Sequence, residues 1–182
     1  RAKGGIAMTM TAGSAVVSKD SPPSFDNIHA YKDEVVPWIK KLTTAIHDQD
    51  CKIMIQLTHL GRRTSWSKGD WLPSVSSGKH REPAHKAFPK IVESWDIERI
   101  IKEYGDAAER MKEGGMDGVE LEAQGHLIGQ FMSPLTNELN SEYGGNLENR
   151  MRFTIDVLTE IRKKVGKEFI VGIRCVFDEV EE

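Results

Sequence analysis

Four polar side chains fall where the chain runs out of an apolar segment and into a turn. They are Glu120, Glu122, Gln124 and His126, within Asp-Gly-Val-Glu-Leu-Glu-Ala-Gln-Gly-His at 117–126. Gly118 to Leu121 reads as a strand, and residues two apart on a strand share a face, so Glu120 and Glu122 project together. Carboxylates beside an apolar core are costly unless they are paired or used. An ionised glutamate accepts hydrogen bonds and donates none; it repels an anionic oxygen and attracts an ammonium or a developing iminium. A histidine titrates near neutrality, so His126 can take a proton from an ammonium or position a water. The competing structural explanation is that Glu122 pairs with a nearby cation and His126 caps a loop.

Three further groups sit at the ends of other strand-like runs. Gln56, in Ile-Gln-Leu-Thr-His-Leu-Gly-Arg at 55–62, carries both a donor and an acceptor on one amide. His59 follows it, placed either to line a site from the strand end or to order the loop below. Arg174 ends Val-Gly-Ile-Arg at 171–174, and its guanidinium stays charged and offers planar paired donors, suited to an edge that becomes negative. The bland alternatives are loop backbone for Gln56 and a surface ion pair for Arg174. His80 and His85, five apart in a long loop, lack the further ligands a metal site requires and read as lid or surface residues.

The elements that must position these groups alternate. Ile6 to Met10 is a short apolar strand, and Val35, Val36, Ile39, Leu42 and Ile46 recur at helical spacing within 31–48. Lys52 to Leu57 is a second strand. The stretch from His59 to Ser94 is far longer than an ordinary strand-to-helix connection. Trp95 to Gly115 reads as a helix capped by Ser94 or Asp96 and stopped by its two glycines. The strand at 118–121 follows, then a helix over Asn149 to Val165 with Asn146 or Asn149 as its cap and Gly166 as its stop, then a strand over Phe169 to Ile173. Alternating strands and helices imply a parallel α/β sheet with right-handed crossovers, closed as a barrel or open as a doubly wound sheet.

Composition narrows the function classes. The chain has 182 residues, 38% hydrophobic and 29% charged, which is the balance of a folded globular protein. Its 25 basic and 28 acidic residues give a net charge of −3, with no basic tract, which argues against a nucleic-acid partner. No apolar run approaches the roughly 20 residues that span a bilayer, and the first residues lack a secretory signal, so the expectation is a cytoplasmic protein without a membrane partner. Cys51 and Cys175 have no CxxC spacing and suggest neither a disulfide framework nor a metal site.

Three motifs, Asp117-Gly118-Val119-Glu120, Gln130-Phe131-x-Ser133-Pro134 and Glu142-Tyr143-Gly144-Gly145-x-Leu147-Glu148-Asn149-Arg150-x-Arg152-Phe153, closely resemble the NADH:flavin oxidoreductase or Old Yellow Enzyme superfamily. The nearest branch holds dienoyl-CoA reductase, trimethylamine dehydrogenase and N-methylproline demethylase-like enzymes. The resemblance implies a partial TIM (β/α)8 barrel of about four βα units, strands two to five, with residues 1–182 the N-terminal part of an FMN-binding domain truncated at both ends. It implies FMN as cofactor, with Gln56 and Arg174 on the flavin ring and the backbone of Ala12, just past the first strand, close to it. It sets Glu122 where the family's first histidine stands, Gln124 near the second polar partner and His126 where many members have a tyrosine proton donor.

The donor pair that grips an enone or nitro oxygen is therefore not intact. That moves the expected reaction toward oxidative N-demethylation of a small N-methyl amine, with Glu122 and His126 catalytic and Gln124 and His59 binding substrate. An ene-reductase or 2,4-dienoyl-CoA reductase is the enzymatic alternative. A non-catalytic flavin-binding or scaffold fragment is the alternative of another class. Larger members carry a [4Fe-4S] cluster and FAD, expected only in a full-length parent and not in this chain. Half a barrel leaves two unpaired sheet edges, a route to a homo-oligomer.

Overall fold

The computed structural model describes residues 1–21, 27–63, 74–82, 88–176 and 178–179. After a short 3-10 turn at Ala2–Gly4 come β1 (Met8–Val16), α1 (Val35–His47), β2 (Lys52–Thr58), β3 (Val75–Ser76), β4 (Lys90–Ile91), α2 (Ser94–Glu113), β5 (Gly118–Ala123), α3 (Leu127–Met132), α4 (Leu147–Val165) and β6 (Ile170–Cys175). The main sheet is parallel in the order β1-β2-β5-β6, so its four strands lie side by side in the order in which the chain forms them.

That order separates the two architectures left open by the pattern of elements. Ile53, Ile55 and Leu57 of β2 and Val119 and Leu121 of β5 share one core with Ile39 of α1, Ile97, Ile100, Tyr104 and Met111 of α2, and Phe153, Val157 and Ile161 of α4. These strand residues alternate, so all three helices cover the same face. A doubly wound sheet reverses its strand order and covers both faces, whereas a barrel advances strand by strand and keeps its helices outside. The fold is a partial (β/α)8 barrel.

Each long helix has a readable start. Pro37 falls in the first turn of α1, where its missing N–H has no partner to lose. At α2 the cap is Glu93 rather than Ser94. The Asp96 carboxylate accepts the Glu93 backbone N–H at 2.9 Å while the Glu93 side chain takes the N–H of Asp96 in return. Of the two asparagines considered for α4, Asn146 is the cap, accepting the Asn149 N–H at 2.9 Å, and Gly166 stops the helix with φ of 76°.

The structure differs from the sequence pattern in four places. β1 runs six residues beyond Met10, because it pairs with β2 on both sides of a slip between Thr11 and Ala15. Ala12 therefore lies inside a strand at an irregularity, not in a loop past its end. α3 was not foreseen, since six residues are too few to show a helical period. The long connection after β2 holds the β3–β4 pair.

The Tyr-Gly-Gly segment is structural. Gly145 has φ of 83°, and a Cβ on Gly144 would lie 1.9 Å from the backbone oxygen of Leu139. Leu139 in turn is tied through its N–H to Asn137, whose amide donates to the carbonyls of Phe131 and Tyr143. Below them Phe131 stacks on Phe153 with ring centroids 4.1 Å apart. Gly144→Ala must push this backbone apart and is expected to destabilise the protein by about 1–3 kcal/mol, the usual cost of overpacking. Urea unfolding followed by circular dichroism measures it, and an unchanged midpoint would show that the turn has slack.

Candidate active site

Register builds the site. Gln56 stands opposite Glu120, Glu120 opposite Gly172, and Glu122 opposite Arg174, all on the face turned away from the helices. The C-terminal ends of parallel barrel strands are where such folds gather reactive groups. Glu120 Oε1 accepts two hydrogen bonds, from Gln56 Nε2 at 2.7 Å and Arg174 Nε at 3.0 Å. Gln56 is buried and Arg174 half-exposed. The two η nitrogens of Arg174 have no partner among the described residues.

One residue further along, Glu122 is 6% exposed. Its Oε1 accepts the Gln124 backbone N–H at 2.8 Å. Its Oε2 lies 2.7 Å from His126 Nδ1, yet that nitrogen is aligned with Thr58 Oγ1, also at 2.7 Å, and Oε2 takes no hydrogen bond among the described residues. A hydroxyl both donates and accepts, so Thr58 can serve either tautomer of His126. His126 Nε2 has no partner among the described residues and can accordingly either hold or accept a proton. Gln124 contributes its backbone to Glu122, and its side chain is exposed at the rim.

Of the two places expected for His59, lining the site or ordering the loop, its contacts in the structure are those of a loop anchor. It is fully buried; Nδ1 accepts the Gly61 N–H at 3.1 Å and Nε2 meets Asp20 Oδ1 at 3.0 Å. An acceptor at Nδ1 requires the proton on Nε2, so Asp20 receives it. Asp20 also takes hydrogen bonds from Ser18 and Arg99. Burial raises the Asp20 carboxyl, but the hydrogen bond and electrostatic attraction of His59, helped by Ser18 and Arg99, outweigh it and hold the group well below the ordinary carboxylate range. The His59 backbone N–H is bonded to the hydroxyl oxygen of Tyr104, which lies in the core under the sheet.

Gln130, within the Gln-Phe-x-Ser-Pro motif, is a buried cross-link. It is 1% exposed and ties the loop after β2 to the loop after β5. Its Oε1 accepts from Arg62 N–H at 3.1 Å and Ser76 Oγ at 2.9 Å, and its Nε2 donates to the Gly125 carbonyl at 2.8 Å. A Cβ on Gly61 would come within 2.3 Å of that amide, so glycine is required there. Nothing in the short apolar run around Gln130 announces this role; only the packed loops do. His80 is on the surface, 3.4 Å from Glu138, and His85 lies outside the described residues. Among the described residues no cluster of His, Cys, Asp or Glu could hold a metal ion. No described helix is long and apolar enough to cross a membrane.

A cleft of about 500 Å³ is lined by Met132, Ser133, Leu147, Arg150 and Glu179 among others, and by none of Gln56, Glu120, Glu122, His126 or Arg174. It lies beside the ends of β5 and β6, against Ala123 and Val176, and away from those five side chains.

The sequence pattern of the NADH:flavin oxidoreductase / NADH oxidase family matches residues 1–182. The chain belongs to that family. It is 69% identical over 179 residues to a Rhizobium meliloti (strain 1021) protein named "Probable N-methylproline demethylase", covering 98% of this chain and 26% of that protein. It is 45% identical to the "Multifunctional alkene reductase/demethylase OYE" of Caballeronia cordobensis, covering 98% and 27%. Among solved structures, morphinone reductase superposes with a TM-score of 0.85 at 25% identity, over 92% of this chain and 50% of that one. The chain thus spans about a quarter of the length of these curated relatives.

The inner face suits the flavin that gives this oxidoreductase family its name. Gln56 carries an amide held by Glu120, Arg174 is a cation whose η nitrogens have no partner among the described residues, and Gly172, opposite Glu120 and two residues before Arg174 on β6, leaves a bare floor: a Cβ there would meet only the Val119 carbonyl oxygen, at 4.0 Å. A flat ring has room to lie on that floor.

Asp20 allows a test of the loop anchor. A carboxylate depressed by folding contributes its full stability above the unfolded pKa, near 4, and loses it as pH falls through the lower folded value. Asp20→Asn is expected to cost about 3 kcal/mol at neutral pH, the low end for breaking a buried pair. The gap between variant and wild type should hold down to about pH 5 and shrink below about pH 4. Urea titrations from pH 3 to 7 give the gap directly, and one that widened in acid would contradict the anchor.

Proposed function

We propose that the protein is an FMN-dependent oxidoreductase that removes hydride from an N-methyl group of a small amine or amino acid. The observation that carries this reading is the buried carboxylate of Glu122, which has an oxygen without a hydrogen bond beside His126. The names of its relatives support it, including an "N,N-dimethylglycine/sarcosine dehydrogenase" of Chromohalobacter salexigens, 42% identical over 98% of this chain.

Bound FMN supplies the two-electron acceptor, and the chain's own groups supply the rest. Gln56 and Arg174 orient the pyrimidine edge of the ring. Glu122 Oε2 attracts the substrate ammonium, which must lose a proton before its methyl group can give up hydride. His126 Nε2 takes that proton, and Thr58 adjusts at the other ring nitrogen. Loss of hydride leaves an iminium, which the Glu122 charge stabilises in place of bulk water. Addition of water, positioned by His126, splits it into formaldehyde and the demethylated amine.

A second reading, alkene reduction, is favoured by one feature: His126 Nε2 can equally deliver a proton to the carbon opposite the hydride. The dual name of the 45% identical relative fits both. Against it stands Glu122, which repels the oxygen an enone would place there.

In the full-length protein, Glu122→Gln should keep the flavin spectrum and slow N-methyl amine oxidation at least tenfold, about 1.4 kcal/mol of transition-state stabilisation. Stopped-flow reduction by N-methylproline-like amines, with formaldehyde assayed, reads this. Unchanged rates would return Glu122 to a structural role, and reduction of activated alkenes without formaldehyde release would replace the proposal by the second reading. Arg174→Ala should weaken FMN binding, and Gln56→Ala should weaken it less, by fluorescence titration with FMN.

A further inference from the structure

Glu120 sits between two strand-end residues that face one small volume. Its side chain is 16% exposed, and one oxygen, Oε1, serves both Gln56 Nε2 at 2.7 Å and Arg174 Nε at 3.0 Å. This is not how a carboxylate holds an arginine for stability alone. A structural pair gains most from a two-pronged contact, whereas here the guanidinium is gripped by its inner nitrogen and neither η nitrogen has a partner among the described residues. The same carboxylate can only accept, so it turns the Gln56 amide with its NH2 inward and its carbonyl oxygen away. One acceptor therefore fixes the polarity of an amide from β2 and the attitude of a cation from β6. Gly172, directly opposite Glu120, puts no side chain in the way.

We infer that Glu120 is a positioning residue for the pyrimidine edge of the flavin, and that its charge holds the flavin's reduction potential below the value Arg174 alone would set. The inference rests on the reading of Gln56 and Arg174 as flavin contacts. Reduction of a flavin gathers negative charge along its N1 and O2 edge. A guanidinium beside that edge favours the reduced form, and a carboxylate behind the guanidinium offsets part of its charge. Glu120 also lies within the partly enclosed sheet face, where such interactions are screened less than in open water. Its net effect is a flavin with two firmly aimed contacts and a tempered electrostatic pull.

Redox titration of the FMN-loaded full-length protein tests this, because a merely structural carboxylate would not move the potential. Glu120→Gln, which removes the charge at nearly constant shape, should raise the two-electron potential by about 30 mV, equivalent to a tenfold shift toward reduced flavin. Glu120→Asp keeps the charge but withdraws it by one methylene, and should move the potential in the same direction by less. It decides the matter if Glu120→Gln does not fold. Arg174→Gln should move the potential the opposite way. If Arg174→Gln shifts the potential while both Glu120 variants stay at the wild-type value, the inference is overturned and the flavin contacts stand. If the protein holds no FMN, or Arg174→Gln also leaves the potential unchanged, the flavin reading falls and this inference falls with it.

Discussion

An unbroken register from β2 through β5 to β6 is the constraint on which the site depends. Side chains alternate across a strand, so a slip of one residue in either pairing would send Gln56, Glu120, Glu122 or Arg174 into the helix layer and bring Leu57 or Val119 inward. The pairing is held from both sides. Outward, the alternate residues of β2 and β5 lock into a core with α2 and α4. At the opposite end of the strands, Asp117 accepts the Ile53 N–H at 2.8 Å and bonds His47 and Lys52, pinning the start of β5 to β2 before the polar rows begin. The geometry of the polar cluster at one end of the sheet is thus held by ordinary packing and a charge cluster at the other.

The loops above the strands are fixed by a different means. Their backbones cannot use the sheet ladder, and buried side chains take its place. Tyr104 receives the first N–H after β2, His59 receives the N–H of Gly61, and Gln130 spans from Arg62 to Gly125. Every one of these is a side chain in the helix layer or loop satisfying a backbone group that would otherwise be orphaned. Because Gln130 holds both loops, His126 is set relative to Thr58 by a rigid frame and not by its own loop alone. Such support holds a side chain in place more firmly than its own loop could.

Local pattern revealed the elements and only part of the site. The helix stripes of α2 and α4, the glycine stop at 166 and the strands carrying Gln56, Glu120 and Arg174 were legible because hydrophobic period and end signals are short-range. α3 was invisible because six residues cannot display a period, and β1 was cut short because its second half is defined by what it pairs with. His59 was ambiguous for the same reason. Its neighbours in sequence do not reveal Asp20, and burial against a distant carboxylate is what makes it an anchor. Glu120 was seen to share a face with Glu122, but its link to Gln56 and Arg174 exists only once three strands are in register. Long-range pairing is the information a single sequence does not display.

Two buried polar atoms lack a hydrogen-bond partner among the described residues, and they are not equivalent: Thr154 Oγ1 and Glu122 Oε2. A neutral hydroxyl in a helix can be left unpaired for about 1–3 kcal/mol, and Thr154 sits in α4 away from the strand ends. A carboxylate oxygen costs more when it is left dry, and this one is next to a histidine at the mouth of a partial barrel. Packing alone offers no reason to keep it, since a glutamine at the same position would still accept the Gln124 N–H without the charge. His126 Nδ1, 2.7 Å away, is the group at hand to balance the charge of this oxygen, so the Glu122–His126 pair is the polar feature at the strand ends that apolar packing does not account for.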